Sequence, residues 1–561
     1  MSTLRNWLLP WLAVFLCLGT CAHGTLESTD SAMTLQAARA LWLRGDSGLH
    51  RSSEGAAWAA EGMVADHVAA QAAAGVHEYG KQGTNGLWYV WFPVGHVGAM
   101  VPAVALGEVL AAAFPQPEQA YRAAKGEALY PHGMFVFDHL LACLLPAAFG
   151  AASTLLLVAI GRALGAAARD AWASALVLLF ATQLFPLTRE TLSDGPSVCW
   201  LLAALLAVVR AQAGSASLGT LFLGGFFASL AVLTRYQHAL AVPLFAAAVW
   251  CARTPVLPWQ RLIAFAAGGA PGLVLLLATN AARFGHPLDT GYPEASSWFN
   301  QPLWVGLLKL LFAGGKGILW FTPLLWYALP AALGRGFNLR WLAWGMLLLP
   351  LLMFSATPGW QSGQCWGARY VTPGIVCFLA LALPQLQPWR TRPVLTSVLV
   401  GIGVLVNLTG VVAPTRGHNQ LAGQAVRVHY QQRLERGEVT QQDLASFDPA
   451  DRFFTEWRFS PLHSHWTYAW LAARGVFEDA EGRPVADASR TIEPMFGVSS
   501  PDPVAGQAPI HFEDRGFRHL WWVLWAGLLG VSPWLLLGVW VALAVLAVRS
   551  CRTLGPATRE S

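Results

Sequence analysis

Long apolar runs separated by short polar stretches dominate this chain, and the length of the runs sets the first expectation. Runs of about 16–27 residues, rising 1.5 Å per residue as helices, are long enough to cross the hydrocarbon layer of a membrane. The pattern predicts about twelve crossings, over Asn6–Gly24 and then 134–160, 171–187, 196–211, 219–234, 236–252, 260–279, 317–334, 341–357, 371–388, 394–413 and 522–548. A further apolar stretch, 92–114, carries Pro93, His96, Pro102 and Glu108. It is expected to lie along or dip into the outer interface as a helix rather than to cross.

Composition agrees with this reading. Of 561 residues, 55% are hydrophobic and 12% charged, and the mean hydropathy is +0.45, which a soluble domain of this size would not show. The expected fold is an all-α polytopic membrane protein. The net charge of +5 is modest and resides in short loops, so it points to topology and not to a nucleic-acid surface. Arg162 and Arg169, Arg210, Arg253 and Arg261, Arg335 and Arg340, Arg390 and Arg392, and Arg549 and Arg552 all fall on the side of Arg5 if about twelve helices cross. The positive-inside rule then puts both termini in the cytoplasm and the chain in the plasma (inner) membrane. Counting 92–114 as a crossing would reverse that bias. The cysteines lie mostly within apolar runs, where buried thiols are expected and neither a disulfide framework nor a metal spacing is suggested. Leu18–Cys21 weakly resembles a lipoprotein processing site, but Thr20 before Cys21 fits it poorly, so the first run is read as an uncleaved anchor.

The polar chemistry collects on the opposite, outer side. It comprises the first loop (25–133), TRETLSDGP (188–196), Arg235-Tyr236-Gln237, the loop 283–302, PGWQSGQCWGARY (358–370) and an insert at 414–519. Three parts follow: a membrane module over 1–413, the outer insert over 414–519, and a last helix with a solvated tail over 520–561. No internal repeat of the kind found in transporters is visible, and no glycine fingerprint of a nucleotide-binding fold follows a predicted strand. These features favour an enzyme opening outward. Glu27 and Asp30 stand just beyond the first helix, where a carboxylate is costly to desolvate and seldom idle.

Several blocks carry a family resemblance: TLESTDSAMTLQAARALWLRG, GLWYVWFPVGHVGAMVP, RETLSDGPSVCWLLAALLAVV, GGFFASLAVLTRYQHALAVPL, NAARFGHPLDTGY, LLFAGGKGILWFTPLLWYALP and WGARYVTPG. In order and in predicted membrane side, over about residues 1–390, the chain resembles the GT-C glycosyltransferases that use polyprenyl-phosphate-linked sugars. The likeness is to the group of protein O-mannosyltransferases and lipid A aminoarabinose transferases. It implies transfer of one sugar from a polyprenyl phosphate donor, in a lipid environment, to an unidentified acceptor on the extracytoplasmic face, with no role for nucleic acid. A lipid-linked glycan flippase and a ligase for preassembled lipid-linked glycans are the alternatives. Donor sugar, anomeric outcome and metal dependence are left open.

Such a reaction needs a base for the acceptor hydroxyl and positive charge for the departing phosphate. The resemblance implies Asp30 as the base, with Glu27 its rival; an Asp or Ser here could equally cap a helix over Ser31–Leu43. Asp194 matches a second acidic position, with Glu190 the alternative on the same turn, and an N-terminal helix cap is the plainer account. Arg235, then Lys316 and Arg369, are the expected phosphate ligands, since a guanidinium forks onto phosphate oxygens and glycines around Lys316 admit close backbone approach. Lipid snorkelling is the alternative for Arg235. His96 could contact substrate or simply pack. His286 and Asp289 could touch the sugar, though loop packing explains them equally. A divalent metal, with Asp30, His96 and Asp194 as candidate ligands, is left open, and His463 with His465 is a weak metal pair.

Overall fold

The computed structural model describes residues 2–26, 28–74, 79–125, 136–292, 298–334, 338–363, 365–442, 449–477, 488–498, 517 and 519–553. Glu27 and Arg335 lie outside the described residues, as does much of the 414–519 insert.

The helices that open the chain are α1 (Ser2–Gly19), α2 (Thr29–Arg44), α3 (Ala59–Ala73), α4 (Val94–Ala113), α5 (Pro115–Lys125) and α6 (Val136–Ala163). The bundle continues through α7 (Ala168–Phe180), the short α8 (Leu184–Leu187), α9 (Asp194–Gln212), α10 (Leu218–Thr234), α11 (Ala241–Trp250) and α12 (Pro258–Phe284). Next come α13 (Leu303–Phe312), α14 (Ile318–Phe321), α15 (Leu325–Ala332), α16 (Arg340–Ser355), α17 (Thr372–Leu386), α18 (Pro388–Thr391) and α19 (Pro393–Val412). The insert supplies α20 (Thr415–Glu435), α21 (Pro449–Thr455), α22 (Pro461–Ala473) and α23 (Ala488–Phe496), and α24 (Trp521–Leu529) and α25 (Pro533–Thr553) close the chain. Among the described residues, six helices are long and apolar enough to cross a membrane: α4, α6, α9, α12, α19 and α25. Of five shorter apolar helices, α1, α10, α16 and α17 fall on other expected crossings, whereas α13 (Leu303–Phe312) falls where none was expected.

The loops confirm that successive helices run up and down. Arg390 pairs with Asp170 at 2.5 Å, the Gln212 side chain donates to the Ala248 carbonyl, and Gln385 and Asn338 bond to each other. All these loops share one end of the bundle. The start of α1 and the end of α25 share it too: α25 runs antiparallel to α1, with Trp540 against Gly19 and Ala547 clustered with Ala13. The other end carries the candidate site.

Two expected runs are broken, and one element forms that was not expected. The run 317–334 is broken at Thr322, whose backbone leaves the helical region (φ −136°, ψ 72°), because the residue before Pro323 is disfavoured in helix. The run 522–548 is likewise split: Gly530 adopts the left-handed conformation and caps α24, and Pro533 starts α25. The last apolar helix long enough to cross therefore spans 533–551, while α24 packs at the site end against Phe137 and Ala111. Finally, 80–82 and 88–90 form a two-stranded hairpin pairing Lys81 with Tyr89, which the apolar pattern did not predict.

Helix α4 is long enough to cross, yet its contacts place it beside the site end of the bundle. Near one end, a Cβ on Gly95 would lie 2.6 Å from the Leu233 backbone at the end of α10, so only glycine permits this approach. Further along, Gly107 packs against Asp138 in the first turn of α6. Both partners lie at the site ends of their helices. Arg39 of α2 locks the arrangement, contacting Glu108 of α4 at 3.0 Å and Asp138 of α6 at 3.1 Å. Asp138 is 1% exposed, so its charge is tolerable there only when paired. Arg39→Ala is expected to destabilise the folded protein by about 3–5 kcal/mol, the usual cost of orphaning one partner of a buried pair. A melting temperature in detergent unchanged from wild type would refute this.

Candidate active site

The helix that follows α1, α2, presents Asp30. Its N-terminus is capped by Ser28, whose hydroxyl accepts from the Ser31 backbone N–H at 3.1 Å. Asp30 is therefore not needed as the cap. It stands in the first turn, where the helix dipole favours an anion. The Ser31 hydroxyl donates to the Thr191 carbonyl at 2.7 Å and ties this helix end to the turn between α8 and α9.

That turn delivers Asp194 as the first residue of α9, while Arg235 follows the last residue of α10 in extended backbone (φ −150°, ψ 115°). Arg235 Nη1 meets Asp194 Oδ1 at 2.5 Å. From the loop before α17, Arg369 reaches both acids: Nη2 is 3.4 Å from Asp30 Oδ2, and Nη1 is 3.9 Å from Asp194 Oδ2. Tyr370 lies beneath both guanidiniums, its ring centroid 4.8 Å from Arg235 and 5.1 Å from Arg369. Burial works against the charge of Arg369, but Tyr370, Cys365, Asp194 and Asp30 outweigh it and hold the guanidinium well above its ordinary value.

The loop carrying Arg369 is fixed from beneath by buried charges. Lys316 Nζ donates to the carbonyls of Gly363 (2.9 Å) and Cys365 (2.5 Å), and Glu190 Oε1 accepts from the Trp366 N–H at 3.1 Å. Gly367 turns the chain with φ 64°, and a Cβ there would strike the Gln183 side chain.

Two adjoining cavities meet at Asp30, Leu192 and Arg369. One, of about 300 Å³, is largely aromatic: Trp91, Phe92, Tyr236, Tyr292, Trp298, Phe299 and Tyr370 line it together with His96 and Arg235. The other, of about 310 Å³, is lined by Ser28, Thr29, Ser31, Tyr79, Glu190, Thr191, Gly363, Cys365 and Arg416.

The structure thus brings Asp30, Asp194, Arg235, Arg369, His96 and Glu190 into one neighbourhood, but not in equal positions. Asp194 is fully buried behind the two arginines, whereas Asp30, 27% exposed, faces both cavities. Lys316 lines neither cavity and is bonded to backbone, so it supports the loop instead of facing a ligand. His286 is exposed and Asp289 pairs with Lys81 at 2.5 Å; neither lines the cavities, which loop packing explains. Among the described residues no group of three His, Cys, Asp or Glu side chains could hold a metal ion. The set does not fit a metal around Asp194 in any case, since a cation there would compete with two guanidiniums. His465 is buried at the end of α19, while His463 is exposed, so the two do not converge.

Sequence reasoning passed over the aromatic wall. Trp91 stacks on Tyr292 at 4.8 Å, and both contact Trp298. The only signal was aromatic density in GLWYVWF and SSWFNQ, which membrane anchoring explains as readily. Arg189, within RETLSDGP, is buried and donates to the carbonyls of Gly410, Val411 and Ala413.

Fold and site together define a helical membrane protein with a charged, aromatic-walled cavity at the end away from the start of α1. No family model matches the sequence, and no curated protein matches it. Two solved structures resemble the chain: ArnT from Cupriavidus metallidurans bound to undecaprenyl phosphate, and the same protein in the apo state. Identity is 16% and the TM-score 0.44 for both; the matches cover 73% and 76% of this chain. They cover 65% and 70% of those chains, so against the first this chain spans just under two thirds of that protein's length.

Lys316 and the Arg369 loop supply a prediction. Lys316→Ala leaves two carbonyls without their donor and is expected to raise amide hydrogen exchange across 362–371 while sparing α9 and α10. Unaltered exchange in that loop would show that the lysine does not support it.

Proposed function

We propose that this protein is an integral membrane glycosyltransferase that moves one sugar from a polyprenyl phosphate to an acceptor on the extracytoplasmic face. The observation that carries the reading is the array Asp30–Arg369–Asp194–Arg235 at the junction of two cavities of different character. The aromatic cavity suits the donor, with its lipid and sugar ring against aromatic faces and its phosphate against the forks of Arg235 and Arg369. The hydroxyl-rich cavity suits the acceptor. A divalent metal is not part of the proposed chemistry.

In the proposed step, Asp30 takes the proton of an acceptor hydroxyl as that oxygen attacks the anomeric carbon. The bond from the anomeric carbon to the phosphate oxygen breaks, and its electron pair leaves with the lipid phosphate. Charge stays balanced within the site: Asp30 loses one negative charge as the phosphate gains one. Arg369, already against Asp30, sits between the two and can shift its attraction from carboxylate to phosphate without moving far. A buried setting strengthens this exchange because little water screens it.

Two variants test the reading in purified, lipid-reconstituted protein. Asp30→Asn should abolish glycosidic product while leaving polyprenyl phosphate binding within a fewfold of wild type; retained transfer would remove Asp30 from the chemistry. Arg235→Ala should weaken polyprenyl phosphate binding by roughly 10- to 100-fold, corresponding to the loss of about 1.5–3 kcal/mol from a hydrogen bond to a charged group. Unchanged affinity would count against the phosphate assignment. Passage of lipid across vesicles with no product formed would favour a flippase instead.

A further inference from the structure

The insert presents a face that neither cavity uses. On α22, Tyr468, Ala469, Leu471 and Ala472 are buried, whereas Trp466 and Trp470, one helical turn apart, are 46% and 57% exposed. Trp457, just before this helix, is 50% exposed. Leaving three indoles half in water is costly, since burying a large apolar side chain stabilises by roughly 1.5–3 kcal/mol. Exposed His463 and the Arg474 guanidinium, 4.4 Å from the Trp470 ring, flank the indoles with polar groups.

The depth of this face follows from α19. That helix has 20 residues, about 30 Å at 1.5 Å per residue, which matches the hydrocarbon thickness of a bilayer. Val394, Leu395, Val398, Ile402 and Leu405 are exposed along it, as expected of a lipid-facing helix. Its far end is the attachment point of α22: His465 Nε2 lies 3.3 Å from the Ala413 carbonyl oxygen. The insert helix therefore sits where hydrocarbon gives way to headgroups, the level that tryptophan prefers. The aromatic surface is also continuous with the bundle. Trp457 packs on Trp320 at 5.5 Å, and Trp320 on Trp326 at 6.0 Å, where exposed Trp326 belongs to α15.

We infer that the exposed face of α22 is a membrane-contact surface, with Trp466 and Trp470 seated among the lipid headgroups of the outer leaflet. The insert then rests on the bilayer beside the bundle and does not project freely from it. This inference stands on the membrane placement of the bundle and is independent of the transferase reading.

Nitroxide labelling of the full chain in lipid nanodiscs tests it, in a background with Cys17, Cys21, Cys251 and Cys551 replaced by alanine. Labels go at Trp470→Cys and at Ala473→Cys, the latter an exposed position on the same face that removes no indole; Glu438→Cys, in an exposed turn of the insert, is the aqueous control. Relaxation by lipid-soluble oxygen relative to a water-soluble nickel chelate should be several-fold greater at 470 and 473 than at 438. Nickel access at 470 and 473 equal to that at 438 would overturn the proposal, as would shielding from both reagents, which would mean that protein covers the face. If Trp470→Cys fails to fold, position 473 decides alone.

Discussion

The arrangement depends on the buried carboxylate of Asp194. Two guanidiniums approach it, Arg235 at 2.5 Å and Arg369 at 3.9 Å. Without a negative charge between them, two cations held this close in a poorly solvated site would repel strongly. The three groups come from the start of α9, the end of α10 and the loop before α17, so one carboxylate sets the relative positions of three separate chain segments. Fully enclosed, it cannot meet a substrate from either cavity. Its contribution is to make a paired cationic surface possible.

The rest of the site consists of devices that keep reactive groups available. Ser28 caps α2, which leaves the Asp30 carboxylate unused by the backbone. Lys316 and Glu190 bond to carbonyl and amide groups of the Arg369 loop, so that loop owes its shape to buried charges instead of to regular secondary structure. Arg189 does the same for the end of α19. Buried cations on backbone carbonyls are expensive to desolvate and worthwhile only where every donor finds an acceptor. Here they fix loops that no helix or sheet would hold.

Much of this was legible in the sequence, for definite reasons. Apolar run length and basic loops gave the up-and-down order, because hydrocarbon thickness and loop charge act locally along the chain. Asp30, Arg235 and Arg369 stood out because charges beside apolar runs are scarce. The glycines around Lys316 misled: they were expected to admit a phosphate, whereas Gly315 approaches the Phe454 backbone and the lysine itself bonds to the Gly363 and Cys365 carbonyls. His286 and Asp289 misled for a similar reason, since a surface pair with Lys81 looks in sequence like any polar loop. The hairpin at 80–90 and the break at Gly530 follow from short-range turn chemistry that hydrophobic periodicity does not report. The aromatic wall was hard to read because Trp91 and Tyr236 are distant in sequence from Tyr292 and Trp298 and meet them only through the fold.

The three acids near the site differ most in what already occupies them, and that difference sorts their roles. Asp194 is paired with Arg235, lies near Arg369 and is cut off from solvent. Glu190 reaches the polar cavity, but one of its oxygens holds the Trp366 amide. Asp30 keeps a partly exposed carboxylate at the junction of both cavities, and its partner Arg369 stands 3.4 Å away, looser than the contact at Asp194. A base must accept a proton and later release it, so it cannot also be the anchor of the charges around it. The tight pair at Asp194 lets the looser one at Asp30 exist: the site keeps its cationic surface when Asp30 is protonated, because the carboxylate that organises the arginines is a different one.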